Sequence, residues 1–207
     1  MNKQIEHKGR LFESPILESL TRTSPLVAFT LYPLFSIGLF FFGLYYFKLS
    51  AGLSILVAFG GFFSWTLLEY LMHRYLFHIG GENRFIRRFR YMMHGIHHDF
   101  PKDKHRLIMP PVPWLIYTIV LTGIFYLFMR NYVFVFMPGL LLGYCCYVSI
   151  HYLIHIAHPP HILRRLIIHH SLHHYRFPDH AFGVSSTLWD RVFGTMPPRH
   201  EEQGHHR

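Results

Sequence analysis

Residues 110–129, PPVPWLIYTIVLTGIFYLFM, run for 20 positions without a charged side chain. At about 1.5 Å per residue that is the length a helix needs to cross a hydrocarbon layer of about 30 Å. The charge-free stretch reaches back to Leu107, and three more windows share the property: Pro25 to Phe47, Leu49 to Leu68 and Asn131 to Ile150. Only 15% of the 207 residues are charged and 51% are hydrophobic, whereas a soluble domain carries about a quarter charged residues. Four buried helices of a soluble protein would need more surrounding chain than this length leaves. The expected fold is therefore all-α integral membrane, with four transmembrane helices in two hairpins, over about 25–47, 49–72, 110–129 and 131–155. A short segment, 1–24, precedes a single membrane domain, 25–207. The first apolar run is too long for a signal peptide and begins only after mixed-charge sequence.

The formal charge of +9 is unevenly spread. Four Lys or Arg residues precede the first span, eight lie between Arg74 and Arg106, and six lie from Arg164 onward, while the tight turns hold only Lys48 and Arg130. With an even number of spans, the rich regions share one side, so both termini and the central segment are expected in the cytoplasm. Anionic lipid headgroups account for the basicity, and no nucleic-acid module is legible. Cys145 and Cys146 are adjacent, which suits neither a disulfide nor CxxC chemistry. Two stretches, NRFIRRFRYMMHG (83–95) and HILRRLIIHH (161–170), look amphipathic, and suit either the headgroup plane or packing on the cytoplasmic span ends.

Just upstream of the opening run lies HGIHHDFPKDKHRL (94–107), three histidines within five positions. They are one of four groups: His73 and His78 in HRYLFH, His94, His97 and His98, His151 and His155 in HYLIH, and His170, His173 and His174 in HSLHH. All ten fall at or beyond the expected cytoplasmic ends of the second and fourth spans. His151 and His155 share a helix face. In each HxxHH the first two histidines are expected on one face, with the third about 100° around and free to serve a second metal or a second side of the same one. His73 and His78 are about 140° apart on a straight helix, so they should address different metals unless the helix ends between them. Imidazole suits iron, zinc and copper, and ten donors exceed what one ion accepts, so two metals is the expected count. The remaining histidines (7, 105, 158, 161, 169, 180, 200, 205 and 206) read as surface or supporting residues, with His158 continuing the 151/155 face.

Carboxylates are scarce near the spans. Glu69, one turn before His73, is expected to accept an imidazole N–H and so fix its tautomer. Asp99, or Asp103 four residues later, is expected to do the same or to cap the turn at Pro101.

The ordered set HRYLFH, HGIHH, HYLIH and HSLHH, with a hairpin between its halves, resembles the integral-membrane fatty acid hydroxylase and sterol desaturase superfamily. HGIHHDFPKDKHRLIMPP (94–111) and FGVSSTLWDRVFGTMP (182–197) narrow the resemblance to the fatty acid 2-hydroxylases that act on sphingolipid acyl chains. It covers about residues 67–197. The resemblance implies a dinuclear centre in a cytosolic helical cap, functionally iron with zinc possible in purified protein, held by His73, His78, His94, His97, His98, His151, His155, His170, His173 and His174. It also implies insertion of one oxygen atom of O₂ at C2 of a long-chain acyl lipid, free or sphingolipid-bound, with two external electrons.

An acyl chain could then lie between the even spans, lined by Tyr70, Tyr75, Phe77, Tyr147 and Tyr152, with Tyr91, Tyr175 and Arg176 placed to meet its polar end. Many eukaryotic members carry a cytochrome b5 domain, yet only about 24 residues precede the first span here. The expected electron donor is accordingly a separate cytochrome b5, or a ferredoxin with its reductase, steered by the basic face. Two alternatives remain: a sterol, carotenoid or alkyl-lipid hydroxylase or desaturase of the same superfamily, against which FGVSSTLWD speaks, and a histidine-rich metal transporter. A transporter would hold its ligands near the bilayer midplane in broken helices.

Overall fold

A computed structural model describes residues 9–156 and 158–198 of the chain. The first eight residues of the N-terminal segment and His7, His200, His205 and His206 lie outside the described residues. The fold is all-helical among the described residues: α1 (Pro15–Ser19), α2 (Pro25–Tyr46), α3 (Ala51–Leu71), α4 (Arg84–Arg90), α5 (Ile96–Asp99), α6 (Pro111–Met129), α7 (Val133–His155), α8 (Arg164–Tyr175) and α9 (Leu188–Val192).

Three helical stretches are long and apolar enough to cross a membrane: Pro25–Tyr46, Ala51–Phe77 and Pro111–His155. The third, 45 residues long, would extend about 68 Å if straight, more than twice a hydrocarbon layer. It is not straight. Arg130 sits at φ 50° between α6 and α7, and the two helices pack on each other. Lys48, between α2 and α3, has the matching φ of 51°. Both hairpin turns thus place a basic residue in the left-handed region, which L-residues enter at some cost.

α7 is the hub, packed by α2, α3 and α6. Its buried side includes Val133, Met137, Leu140, Tyr144 and Val148, while most large apolar residues of the outer helices face outward, as lipid-facing surfaces do. An aromatic layer ties the bundle together: Tyr32 of α2 stacks on Trp114 of α6 at 4.2 Å between ring centres, and Trp65 of α3 meets Tyr144 of α7 edge-on at 5.1 Å. The Tyr32 hydroxyl donates to the Met109 carbonyl at 2.8 Å, fixing the start of the second hairpin. On the two amphipathic stretches, Phe85 is 78% and Ile162 90% exposed, so neither is covered among the described residues.

Candidate metal centre

Two of the histidine-bearing helices are locally widened. After Leu71, α3 continues as a π-helical turn, Met72–Phe77, closed by the His78 amide donating to the His73 carbonyl at 3.2 Å. An i→i+5 bond stacks residue i+5 over residue i, so His73 and His78 end on one side, with ring centres 5.1 Å apart. The expected divergence of this pair is thereby corrected: the helix neither ends nor splits them, because one turn is wider. A second π-turn, Tyr91–Gly95, follows α4 and carries His94 into α5.

The ten clustered histidines come together in two groups of five. His73, His78, His94, His98 and His173 form the first, and His97, His151, His155, His170 and His174 the second; in each, one nitrogen per residue lies within 4.8 Å of all the others. The expected partition of HxxHH is also corrected. The outer pair stays together, His94 with His98 and His170 with His174, and the middle residue crosses to the other group. A 3.6-residue period explains it, since i and i+4 differ by only about 40° and i+3 falls on the other flank. Each HxxHH therefore supplies two imidazoles to one group and one to its neighbour.

The donor set fits metal ions. In the second group the His170 Nε2 lies 3.1, 3.0 and 2.9 Å from the Nε2 atoms of His151, His155 and His174. A neutral imidazole has one N–H and one lone pair, so one N–H cannot satisfy three nitrogens. Two nitrogens each about 2.1 Å from an ion and at right angles around it would be about 3.0 Å apart, the spacing seen. In the first group, His73 donates Nδ1–H to the Phe182 carbonyl at 2.5 Å and His173 to the His180 carbonyl at 2.8 Å, which turns each Nε2 lone pair inward. The Nε2 atoms of His78, His98 and His173 are buried without a hydrogen-bond partner.

Burial, reinforced by neighbouring imidazoles, holds His94, His97 and His170 well below the usual histidine range. Burial likewise lowers His78, His98 and His173 to about 4. These rings are neutral near pH 7, the form that ligates. Unfolded imidazoles take up protons near 6.5, so between about 6.5 and 4 the unfolded chain binds more protons than the folded one. Metal-free protein is therefore expected to lose stability as pH falls through that interval, measurable as a falling Tm of chelator-treated protein in detergent.

Two carboxylates hold the frame of the first group, and neither contacts one of the ten clustered imidazoles. Glu69 accepts the Val184 and Ser185 amides at 2.7 and 2.8 Å and the Ser185 hydroxyl. The expected Glu69–imidazole bond is thus replaced by a grip on the loop next to Phe182, whose carbonyl orients His73. Asp190, fully buried, accepts the Phe182 and Gly183 amides at 2.9 and 2.8 Å and the Thr195 hydroxyl at 2.8 Å, and faces His169 Nε2 at 2.9 Å. Burial pushes its carboxyl up, but the His169, Thr195 and Gly183 hydrogen bonds outweigh that and leave it below the ordinary value. A Cβ on Gly183 would stand 2.0 Å from the Ser186 carbonyl oxygen, so only glycine fits this loop. Asp190→Ala is expected to cost about 3–5 kcal/mol, the penalty for leaving buried partners of a charge unpaired. A loss of Tm together with first-group metal checks it.

A cavity of about 210 Å³ opens beside the histidines, walled by Trp65, Met72, Phe77, Met93, Tyr144 and Tyr147, and touches His94 of the first group and His97 and His151 of the second. Of the expected route residues, Phe77 and Tyr147 line it. Tyr70 instead is buried with its hydroxyl on Thr195 and Arg74, Tyr75 faces outward, and Tyr152 packs on Phe29. Tyr91 shares a hydrogen bond with Asp99, Tyr175 is 72% exposed, and Arg176 lies over Phe177. None of these three, nor Tyr70, Tyr75 and Tyr152, is among the cavity walls, which corrects their expected place. Trp65, Tyr144 and Arg106 line it without having been singled out in the sequence. Their mid-helix and turn positions carry no motif.

Fold and site together define a class: an integral-membrane protein that collects histidines from several helices into two ligand groups beside an apolar cavity. The sequence model described as fatty acid hydroxylase matches residues 58–195, two thirds of the chain, and the chain belongs to that family. A dihydroceramide fatty acyl 2-hydroxylase of Arabidopsis thaliana is 36% identical over 199 residues, 91% of this chain and 80% of that one. A ceramide very long chain fatty acid hydroxylase of Schizosaccharomyces pombe is 40% identical over 70% of this chain, and the human fatty acid 2-hydroxylase 38% identical over 67%. The chain spans 43% and 38% of the lengths of those two. The solved structure of full-length scs7p, in which only the hydroxylase domain is visible, superposes with a TM-score of 0.81 at 31% identity, covering 88% of this chain and 70% of that one.

Proposed function

We propose that this hydroxylase places a hydroxyl group on C2 of a long acyl chain, using O₂, two external electrons and two metal ions held by the ten clustered histidines. The observation that carries the reading is a single apolar cavity bordered by histidines of both groups. Five imidazoles per group without a carboxylate suit iron, and exceed the three or four ligands zinc commonly takes. Iron held there would supply the redox chemistry with O₂ that an unactivated C–H bond demands. The chain's own residues bind and orient. Trp65, Met72, Phe77 and Tyr147 offer an apolar wall on which each buried methylene contributes about 0.8 kcal/mol, and the same wall excludes water from the reacting carbon. The names of the relatives favour acyl chains of the ceramide type over sterols.

In this reading α2, α3, α6 and α7 each cross the bilayer once within the domain 25–207, with 1–24 before it. The excess of basic residues before α2, between α3 and α6 and after α7 supports a cytoplasmic side for the histidine cap. Phe85 and Ile162 then dip into the headgroup layer, and a separate electron-donating protein approaches the basic face. Membranes containing the protein, supplied with oxygen-18 gas and a reducing system, are expected to yield 2-hydroxy acyl lipid carrying one labelled oxygen. Label at another carbon, or an unlabelled hydroxyl, overturns the reading.

A further inference from the structure

One arginine lines the cavity, Arg106, with a side chain only 2% exposed. Its Nη2 donates to the Glu18 carboxylate and its Nη1 to the Thr21 hydroxyl at 3.3 Å, while its Nε–H is buried without a hydrogen-bond partner, 3.7 Å from Asp103 Oδ2. Glu18 also accepts the Leu11 and Phe12 amides at 2.9 and 3.1 Å and the Arg22 Nε at 3.2 Å. Arg22 in turn lies 3.6 Å from Asp103. Two arginines and two carboxylates thus close on one another, and the set is formally neutral. It joins the 9–24 segment, whose Leu11, Leu20 and Thr21 line the same cavity, to the turn after α5.

Oxidation at C2 leaves the acyl carbonyl one bond from the reacting carbon, so the polar end of the substrate has to lie in or at the mouth of this cavity. A free acid would bring a carboxylate, whose burial costs several kcal/mol unless a cation is free to pair with it. Arg106 is already neutralised by Glu18. A bare carboxylate would be drawn to the histidine-held metals, and this would put the acid group, rather than C2, against them. An amide carbonyl is neutral and needs only a donor. We propose that Arg106 holds the carbonyl of an amide-linked acyl chain, and that Glu18, by neutralising Arg106, makes the site select N-acyl sphingoid lipid over free fatty acid. The inference rests on the C2-hydroxylation reading and assigns the residues that set the choice between amide-linked and free acyl chains.

Membranes containing the full chain and a reducing system are given either palmitic acid or N-palmitoyl dihydrosphingosine, and 2-hydroxylated products are quantified by mass spectrometry alongside bound metal. Wild type is expected to favour the amide. Arg106→Gln is expected to lower kcat/KM for the amide about tenfold or more, the worth of a hydrogen bond to a charged donor, with some product shifted to C3 and metal content unchanged. Glu18→Gln leaves Arg106 with an uncancelled charge and is expected to raise the acid-to-amide product ratio about tenfold. Asp103→Asn, which removes charge without touching the Leu11 and Phe12 amides, should move the ratio the same way should Glu18→Gln fail to fold. A wild-type preference for palmitic acid, or an unchanged ratio in whichever of these two variants retains metal, overturns the inference while leaving C2 hydroxylation standing. Absence of 2-hydroxylation of either lipid by wild type sinks the underlying reading and this inference with it.

Discussion

His170→Ala is expected to halve the bound metal and to abolish hydroxylation. His170 sits at the centre of the second group, fully buried, with its Nε2 within 3.1 Å of three other imidazole nitrogens. Losing a partner that merely orients a ligand already costs about 10–100-fold in affinity or activity, so loss of the ligand itself should exceed that. Its neighbour supplies the control. His169 lies on the same helix and is almost as buried, but its ring faces Asp190 rather than the histidines. His169→Ala should therefore lower Tm, because a buried carboxylate loses one of its donors, while metal stoichiometry stays near that of wild type. Metal analysis by mass spectrometry with product quantification separates the two. If His170→Ala kept both metals and full activity, the second group would not be a ligand set.

The hairpins and the ten histidines are legible in the sequence because each rests on local pattern: windows without charge, and imidazoles in short clusters. The pairing of those histidines is not, because it depends on helix geometry. Nothing in HRYLFH marks the wider turn at Met72–Phe77 that brings His78 over His73. Long-range polar partners are hidden for another reason. Glu69 bonds Val184 and Ser185 more than a hundred residues downstream, and Arg106 reaches back 88 residues to Glu18. Glu69 is one turn from His73 in sequence, which makes an imidazole its nearest apparent partner. The backbone amides of the 184–185 loop, which is folded against it, win because they would otherwise be buried unpaired. Asp190 is similar: no local pattern in FGVSSTLWD marks it for burial, yet it is the acceptor around which residues 181–195 close.

Gly139→Val is expected to damage the bundle and both histidine groups together. A Cβ at Gly139 would lie 1.8 Å from the Ala58 carbonyl oxygen, and one at Gly61 would lie 2.2 Å from that of Phe136. The backbones of α3 and α7 therefore touch, and no side chain can yield to admit new atoms. In lipid, where apolar burial gives little drive for helix pairing, such close approach between small residues is what packs helices together. The contact also sets the site. His73 and His78 follow α3 and His151 and His155 end α7, so splaying the helices at Gly139 separates first-group from second-group ligands about 18 Å further along α7. The expected cost is about 3 kcal/mol or more, read as a lower Tm in detergent together with lost metal and activity. Gly123→Val in α6 is the matched control, since nothing lies within 4 Å of a Cβ there. It should change stability by about 0.5 kcal/mol or less, as surface substitutions do. Equal Tm values for the two variants would mean that α3 and α7 do not meet at Gly139, and the common support of both histidine groups would have to lie elsewhere.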